Sequence, residues 1–222
     1  DGAEQGLALD CYITEGAIEF SRRYAIKPDG MSFSTKEGKA WREAHAGRKF
    51  LSSEDGAILI DAVDAIRTHP IWPEIEACQA QLTIRRKSDG LGIGLQSRPD
   101  WLNLERGDLF DCKKCRDLDV FSNQTVNLGY ITQAALAGWC MAGDGLMLNR
   151  SYLVAVEWAI GARCRVKEID QDDLQKADQA MRLHAAEIAD RMHRNDWNDR
   201  PPRSEMLTLN KWQKQSICGD ES

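Results

Sequence analysis

The chain has 222 residues, 42% of them hydrophobic and 29% charged, with a formal net charge of −6. That length can bury one core, so a single domain over residues 1–222 is expected, and no stretch has the apolar length of a membrane span or the form of a targeting leader. The acidic balance excludes a passive nucleic-acid binder that is basic all round, but not an enzyme with local cations such as Arg22-Arg23, Arg85-Arg86-Lys87 and Lys113-Lys114 with Arg116.

The N-terminal third, about 1–75, reads as helical. Apolar residues at helical spacing (Leu7, Cys11; Ala17, Ile18, Tyr24) predict helices over 3–13 and 15–25, ended by the turn composition Lys27-Pro28-Asp29-Gly30. Thr35 caps a helix over 36–46 that Gly47 closes, and Ser52-Ser53 open another that Pro70 stops. From about residue 76 the period changes. Residues 79–87, 92–98 and 107–114 read as three strands of an antiparallel meander, with a turn at Ser88-Asp89-Gly90. Helices follow near 117–127 and at 129–142, then strands at 151–158 and 162–169. A long helix over 170–194 has Leu174, Ala177, Met181, Ile188 and Met192 on its inner side. The expected fold is α/β: a mixed, mostly antiparallel-meander sheet flanked by helices, with a loop tail at 201–222.

Seven cysteines, odd in number and scattered, read as reduced thiols in a cytoplasmic setting. Cys112-x-x-Cys115 has no second pair at similar spacing, so it reads as structural rather than zinc-binding. His45, His69, His184 and His193 likewise read as structural or surface residues. The chain opens on Asp1 rather than Met, and the expectation is a fragment of something longer.

The chemistry concentrates in Arg98-Pro99-Asp100 and Asp111-Cys112-Lys113. Residues two apart on a strand share a face, so Asp111 and Lys113 point the same way. If strands 92–100 and 107–114 pair, Asp100 arrives beside Asp111. Two convergent carboxylates repel unless a cation lies between them, and oxygen ligands with room for water suit Mg²⁺ or Mn²⁺. A lysine alongside completes a set suited to phosphodiester hydrolysis. The following helix carries Tyr130 and Gln133, three apart and therefore on one face.

With these residues the chain resembles the exodeoxyribonuclease VIII-like (RecE-type) branch of the PD-(D/E)XK, or RecB-type, nucleases. The resemblance runs from about residue 6 to 213. It rests on Glu19-Phe20, Arg23-Tyr24, Pro28, Thr35–Lys39, His69-Pro70, Gly90, Arg98-Pro99-Asp100, Asp111-x-Lys113, Phe121, Tyr130, Gln133, Glu157, Trp197 and Trp212, in collinear order. It implies a restriction-endonuclease-like core and a Mg²⁺-dependent exonuclease that degrades duplex DNA from 5′ ends in phage or prophage recombination. It also implies a ring-shaped homo-oligomer, typically a tetramer, and a RecT-type annealing protein as partner. By the same resemblance Asp100, Asp111 and the Cys112 carbonyl are metal ligands and Lys113 the catalytic lysine. Tyr130, Gln133, Arg98 and Lys114 support the site or touch DNA. Two positions depart from the family's pattern: Asp10 stands where a histidine ligand is usual, and Gln81 where a glutamate is usual. Both are carried as further metal ligands. The alternative reading is a catalytically weak or inactive DNA-binding relative of the same fold.

Overall fold

A computed structural model describes residues 2–87, 90–122, 125 and 128–197. Helix α1 (Gly2–Asp10) runs through a π-turn at Cys11–Glu15 into α2 (Gly16–Arg23). Strand β1 (Tyr24–Ile26), α3 (Lys36–Ala44), β2 (Lys49–Leu51), α4 (Ser53–Arg67) and α5 (Trp72–Glu76) complete the N-terminal third. The predicted caps are in place. The side chain of Thr35 accepts from the Gly38 N–H, and that of Ser52 from the Asp55 N–H. The short parallel ribbon of β1 and β2 is not legible in the sequence, because three residues are too few to display a period.

The single strand expected over 79–87 is two. Strand β3 (Gln79–Ala80) and β4 (Ile84–Lys87) belong to different sheets, and the break falls at Gln81, whose φ is +54°. A left-handed residue cannot continue a strand. Strand β4 pairs only with β5 (Gly94–Ser97), as a separate antiparallel hairpin. The partner of β7 (Asp108–Cys115) is therefore not the 92–98 strand but β6 (Trp101–Asn103). The predicted meander is corrected to a five-stranded mixed sheet of order β3-β6-β7-β8-β9, with β8 (Arg150–Glu157) parallel to β7 and β9 (Cys164–Glu168) antiparallel to β8.

Helices cover both faces, as expected of a sheet holding a parallel pair. On β7 and β8, Phe110, Tyr152, Val154 and Val156 pack toward α1 and α4. Leu153, Ala155 and Cys115 pack toward α6 (Tyr130–Met141) and α7 (Gln171–Arg194). One correction concerns the second face. Ile188 and Met192 of α7 are 46% and 51% exposed rather than inward, while Ala185 is buried. The helix near 117–127 lies partly outside the described residues, of which 121, 122 and 125 are helical; the 201–222 tail lies wholly outside them. Among the described residues no helix is long and apolar enough to cross a membrane.

Asp108, fully buried at the start of β7, receives a fork from Arg150 (Nε 3.0 Å, Nη2 2.6 Å) and an ion pair from Arg106 at 3.2 Å. Removing one partner of a buried charge pair leaves the other desolvated and uncompensated. Asp108→Ala is therefore expected to destabilise the fold by about 3 kcal/mol, read as a lower urea midpoint at unchanged slope. An unaltered midpoint would remove this pair from the framework.

Candidate active site

Strand β7 is eight residues long and β6 only three, so among the described residues the second half of β7 has no strand partner on that edge. The last register pair is Trp101 with Phe110. One step further sets Asp100 opposite Asp111, and one more sets Pro99, which has no N–H, opposite Cys112. The Cys112 N–H instead donates to Asp100 Oδ2 at 2.7 Å. A residue's N–H and C=O leave a strand on the same edge, so the Cys112 carbonyl faces this opening too.

The period of two on β7 holds. Asp111 and Lys113 share the α6 face and form an ion pair. Gln133 of α6 accepts from Lys113 Nζ at 3.1 Å and lies 3.4 Å from Asp111 Oδ1 through Nε2, and Lys113 Nζ sits 4.7 Å from the Tyr130 ring centroid. From the other face α1 delivers Asp10. Gln81 bridges the two sides, its amide nitrogen 3.4 Å from Asp10 Oδ1 and 3.3 Å from Asp100 Oδ1. Its own N–H is held by the Asp100 carbonyl at 2.9 Å. Asp10, Gln81, Arg98, Asp100, Asp111 and Lys113 thus line one cleft of about 640 Å³.

Of the site residues expected from the sequence, all but Tyr130 line this cleft, though not all in the same manner. Lys114 alternates to the opposite face of β7, where it donates to Gln5 at 3.1 Å and lies 5.6 Å above Trp158. Arg98 is exposed and, among the described residues, has no hydrogen-bond or ion-pair partner. Tyr130 touches Lys113 rather than a carboxylate. Of the other basic clusters, Arg22 and Arg23 are tied to Glu15 and Glu19, and Arg85 bonds Gln96. Cys112 and Cys115 fall on opposite faces of the strand, and burial raises both thiols, that of Cys115 to about 11. Lys49, on the rim of an adjoining cleft, was missed: nothing local distinguishes it, and only the β1–β2 pairing brings it there.

Asp100 and Asp111 are 9% and 6% exposed. Burial, then the charges of Asp111 and Asp10, push Asp100 well above the ordinary carboxylate range; burial also raises Asp111, against the pull of Lys113. Burial works to lower Lys113, but the Asp111 charge outweighs it and holds the ammonium above its usual value. Were all three carboxyls ionised, the one ammonium would leave the inner cluster short of two positive charges. Asp111 Oδ2 is in ion-pair contact with Lys113 yet has no partner in hydrogen-bond geometry.

This donor set fits a hard divalent cation. Among the described residues no three or more His, Cys, Asp or Glu side chains gather closely enough to hold a metal by themselves. Two carboxylates and a main-chain carbonyl, with water filling the remaining positions, are the ligation Mg²⁺ commonly takes.

No protein-family model matches the chain, and no curated protein sequence does. Among solved structures it is similar to a crystal structure from Eubacterium rectale named a "putative exonuclease". The TM-score is 0.62 at 12% identity, covering 98% of this chain and 79% of the other. That likeness establishes the fold, a mixed α/β sheet flanked by helices.

A carboxyl whose folded pKa lies above its unfolded value of 3.8 costs nothing below that value and weakens the fold progressively as pH rises. Asp100→Asn removes this cost. Without metal, the variant is expected to melt near wild type at pH 4 and roughly 2–4 °C higher at neutral pH, the shift that about 1 kcal/mol makes in a chain of this size. Added Mg²⁺ should reverse the order by stabilising only the wild type. A pH-independent difference would mean that Asp100 is not held against its charge.

Proposed function

We propose that this chain is a divalent-metal-dependent nuclease of the PD-(D/E)XK type, acting as an exonuclease on linear double-stranded DNA. The observation that carries this reading is the meeting of two buried carboxylates and one ammonium at the open edge of β7. The name of the Eubacterium rectale structure supports it. So does the resemblance to the RecE-type branch, from which attack at 5′ ends, a ring-shaped oligomer, a RecT-type partner and a cytoplasmic role in phage recombination are carried into the proposal.

In this reading Asp100, Asp111 and the Cys112 carbonyl hold Mg²⁺ or Mn²⁺, with Asp10 reached through Gln81. Such an ion, when bound, eases the ionisation of a water and neutralises charge on the scissile phosphate. Lys113 does the rest as a cation. Its ammonium is held above its ordinary pKa, so it donates hydrogen bonds to the attacking oxygen and to the phosphoryl oxygens on which charge grows, instead of removing a proton. Gln133 and Tyr130 fix where that ammonium points. Arg98, unpaired at the mouth, meets the DNA backbone.

One observation favours the second reading, a DNA-binding relative with little catalysis: the Gln81 amide occupies the gap between Asp10 and Asp100 with a donor, where an ion would need an acceptor. Rotation of the amide presents its oxygen instead, so the two readings are separable by experiment. Incubation of linear duplex with Mg²⁺ or Mn²⁺ is expected to release nucleotides while covalently closed circles survive; no release with either ion selects the second reading. Lys113→Ala should lower the rate by about 10²–10³-fold or more, as loss of a charge-stabilising donor does, and leave DNA binding within a few-fold. Cleavage at the wild-type rate would show the site to be misassigned.

A further inference from the structure

Charge is unevenly placed along this acidic chain. Residues 27–50 hold six Lys and Arg against three Asp and Glu, within a net charge of −6. Lys49 pairs with Glu4 at 3.1 Å, whereas Lys27, Lys36, Lys39, Arg42 and Arg48 have no ion-pair partner among the described residues. Beside these cations lie four rings, none fully buried: Phe33, Trp41, His45 and Phe50. Trp41 stacks on His45 at 4.1 Å and on Phe33 at 6.1 Å, and Phe50 tilts against Trp41 at 5.3 Å. Lys27 and Arg42 sit 5.5 and 5.9 Å from the Phe33 centroid.

A small core holding α3 in place would account for the rings alone. It would also account for Lys27 and Arg42 over Phe33, but it would not call for further cations with no ion-pair partner among the described residues, which repel one another until an anion arrives. Half-buried rings beside such cations match a polyanion carrying flat apolar groups. We propose that this face binds single-stranded nucleic acid, with bases stacking on the Trp41–His45 platform and phosphates meeting Lys27, Arg42 and Arg48. Duplex offers phosphates but no free base faces, so the rings favour a single strand.

Position supports the assignment. A second cleft of about 450 Å³ shares Asp10, Gln81 and Arg98 with the first and reaches Gly47 and Lys49. On β2, Lys49 faces that cleft and Phe50, the next residue, faces the rings. The turn at 45–48, with exposed Arg48, forms the rim between them. A strand leaving the catalytic cleft past Arg98 and Lys49 rounds this rim onto the platform. The origin of that strand rests on the nuclease reading; the binding itself does not.

The test uses the whole chain in EDTA, with no metal and no cleavage, and a fluorescent oligothymidylate followed by anisotropy. The expected result is salt-dependent binding that Trp41→Ala weakens roughly 10-fold, as loss of one stacking ring does, and Trp41→Phe largely restores. The Lys27→Ala/Arg42→Ala double variant, which leaves the rings in place, should weaken binding and reduce the slope of log K against log salt by about 1.4. Unchanged affinity in that variant overturns the proposal. So does equal competition by blunt duplex or by poly-glutamate, which would mark a duplex-backbone or acidic-protein surface. Because cleavage is not read, an inactive enzyme that still binds the oligonucleotide would sink the nuclease reading alone.

Discussion

Asp100 and Asp111 are buried carboxylates facing each other across a gap where two strands stop pairing, and the site is organised around letting both remain there. Burial raises both, helped at Asp100 by the charges of Asp111 and Asp10 and at Asp111 by that of Asp10. The neighbourhood answers with the Cys112 N–H and the Gln81 amide on Asp100, and with the Lys113 ammonium on Asp111. The other buried carboxylate of β7 shows what a purely structural solution looks like. Asp108 is enclosed by two arginines, one of them bidentate, and is left with no deficit. One end of β7 is electrostatically closed and the other left short of positive charge. Stability gains nothing from such a deficit, which is the signature of a site kept for binding or chemistry.

The deficit is placed by topology. Strand β7 is gripped along its whole length by the parallel strand β8, which keeps it straight and buried, while β6 covers only its first residues. Pro99 cannot donate to β7, so pairing ends with Trp101, and Asp100 takes up the N–H that a further residue of β6 would have shared. The left-handed turn at Gln81 ends β3 at the same level and swings its side chain into the gap. With β3 and β6 both ending there, α1 brings Asp10 from one face of β7 and α6 brings Gln133 and Tyr130 from the other.

What was legible in the sequence follows from the range of each interaction. The helix caps at Thr35 and Ser52 are set within three or four residues and were readable. So was the common face of Asp111 and Lys113, which period two dictates whatever the partner strand. The partner strand itself was misread. Residues 79–87 and 92–98 have strand composition, but a single positive φ at Gln81 and the proline at 99 decide which segments join the main sheet, and neither leaves a periodic trace. Asp100 nonetheless reached Asp111, because it directly precedes the strand that does pair. Ile188 and Met192 continue the apolar stripe of α7 along an open groove beside residues 92–95 and α6, so period alone assigned them to the core.

The net charge of −6 sits awkwardly with a nucleic-acid enzyme only if charge is summed over the whole molecule. At physiological salt a surface charge is screened within about 8 Å, so a phosphate responds to the few groups it touches. In the readings proposed above those groups are Arg98, Lys113 and the proposed divalent ion at the cleft, and Arg48 with its neighbours in 27–50 around the rim. Acidic residues elsewhere then do not weaken the productive contacts, and they raise the cost of a polyanion lying anywhere else. The net charge is therefore no objection to the proposed nuclease reading, because local cations lie beside the carboxylates where that reading places the substrate.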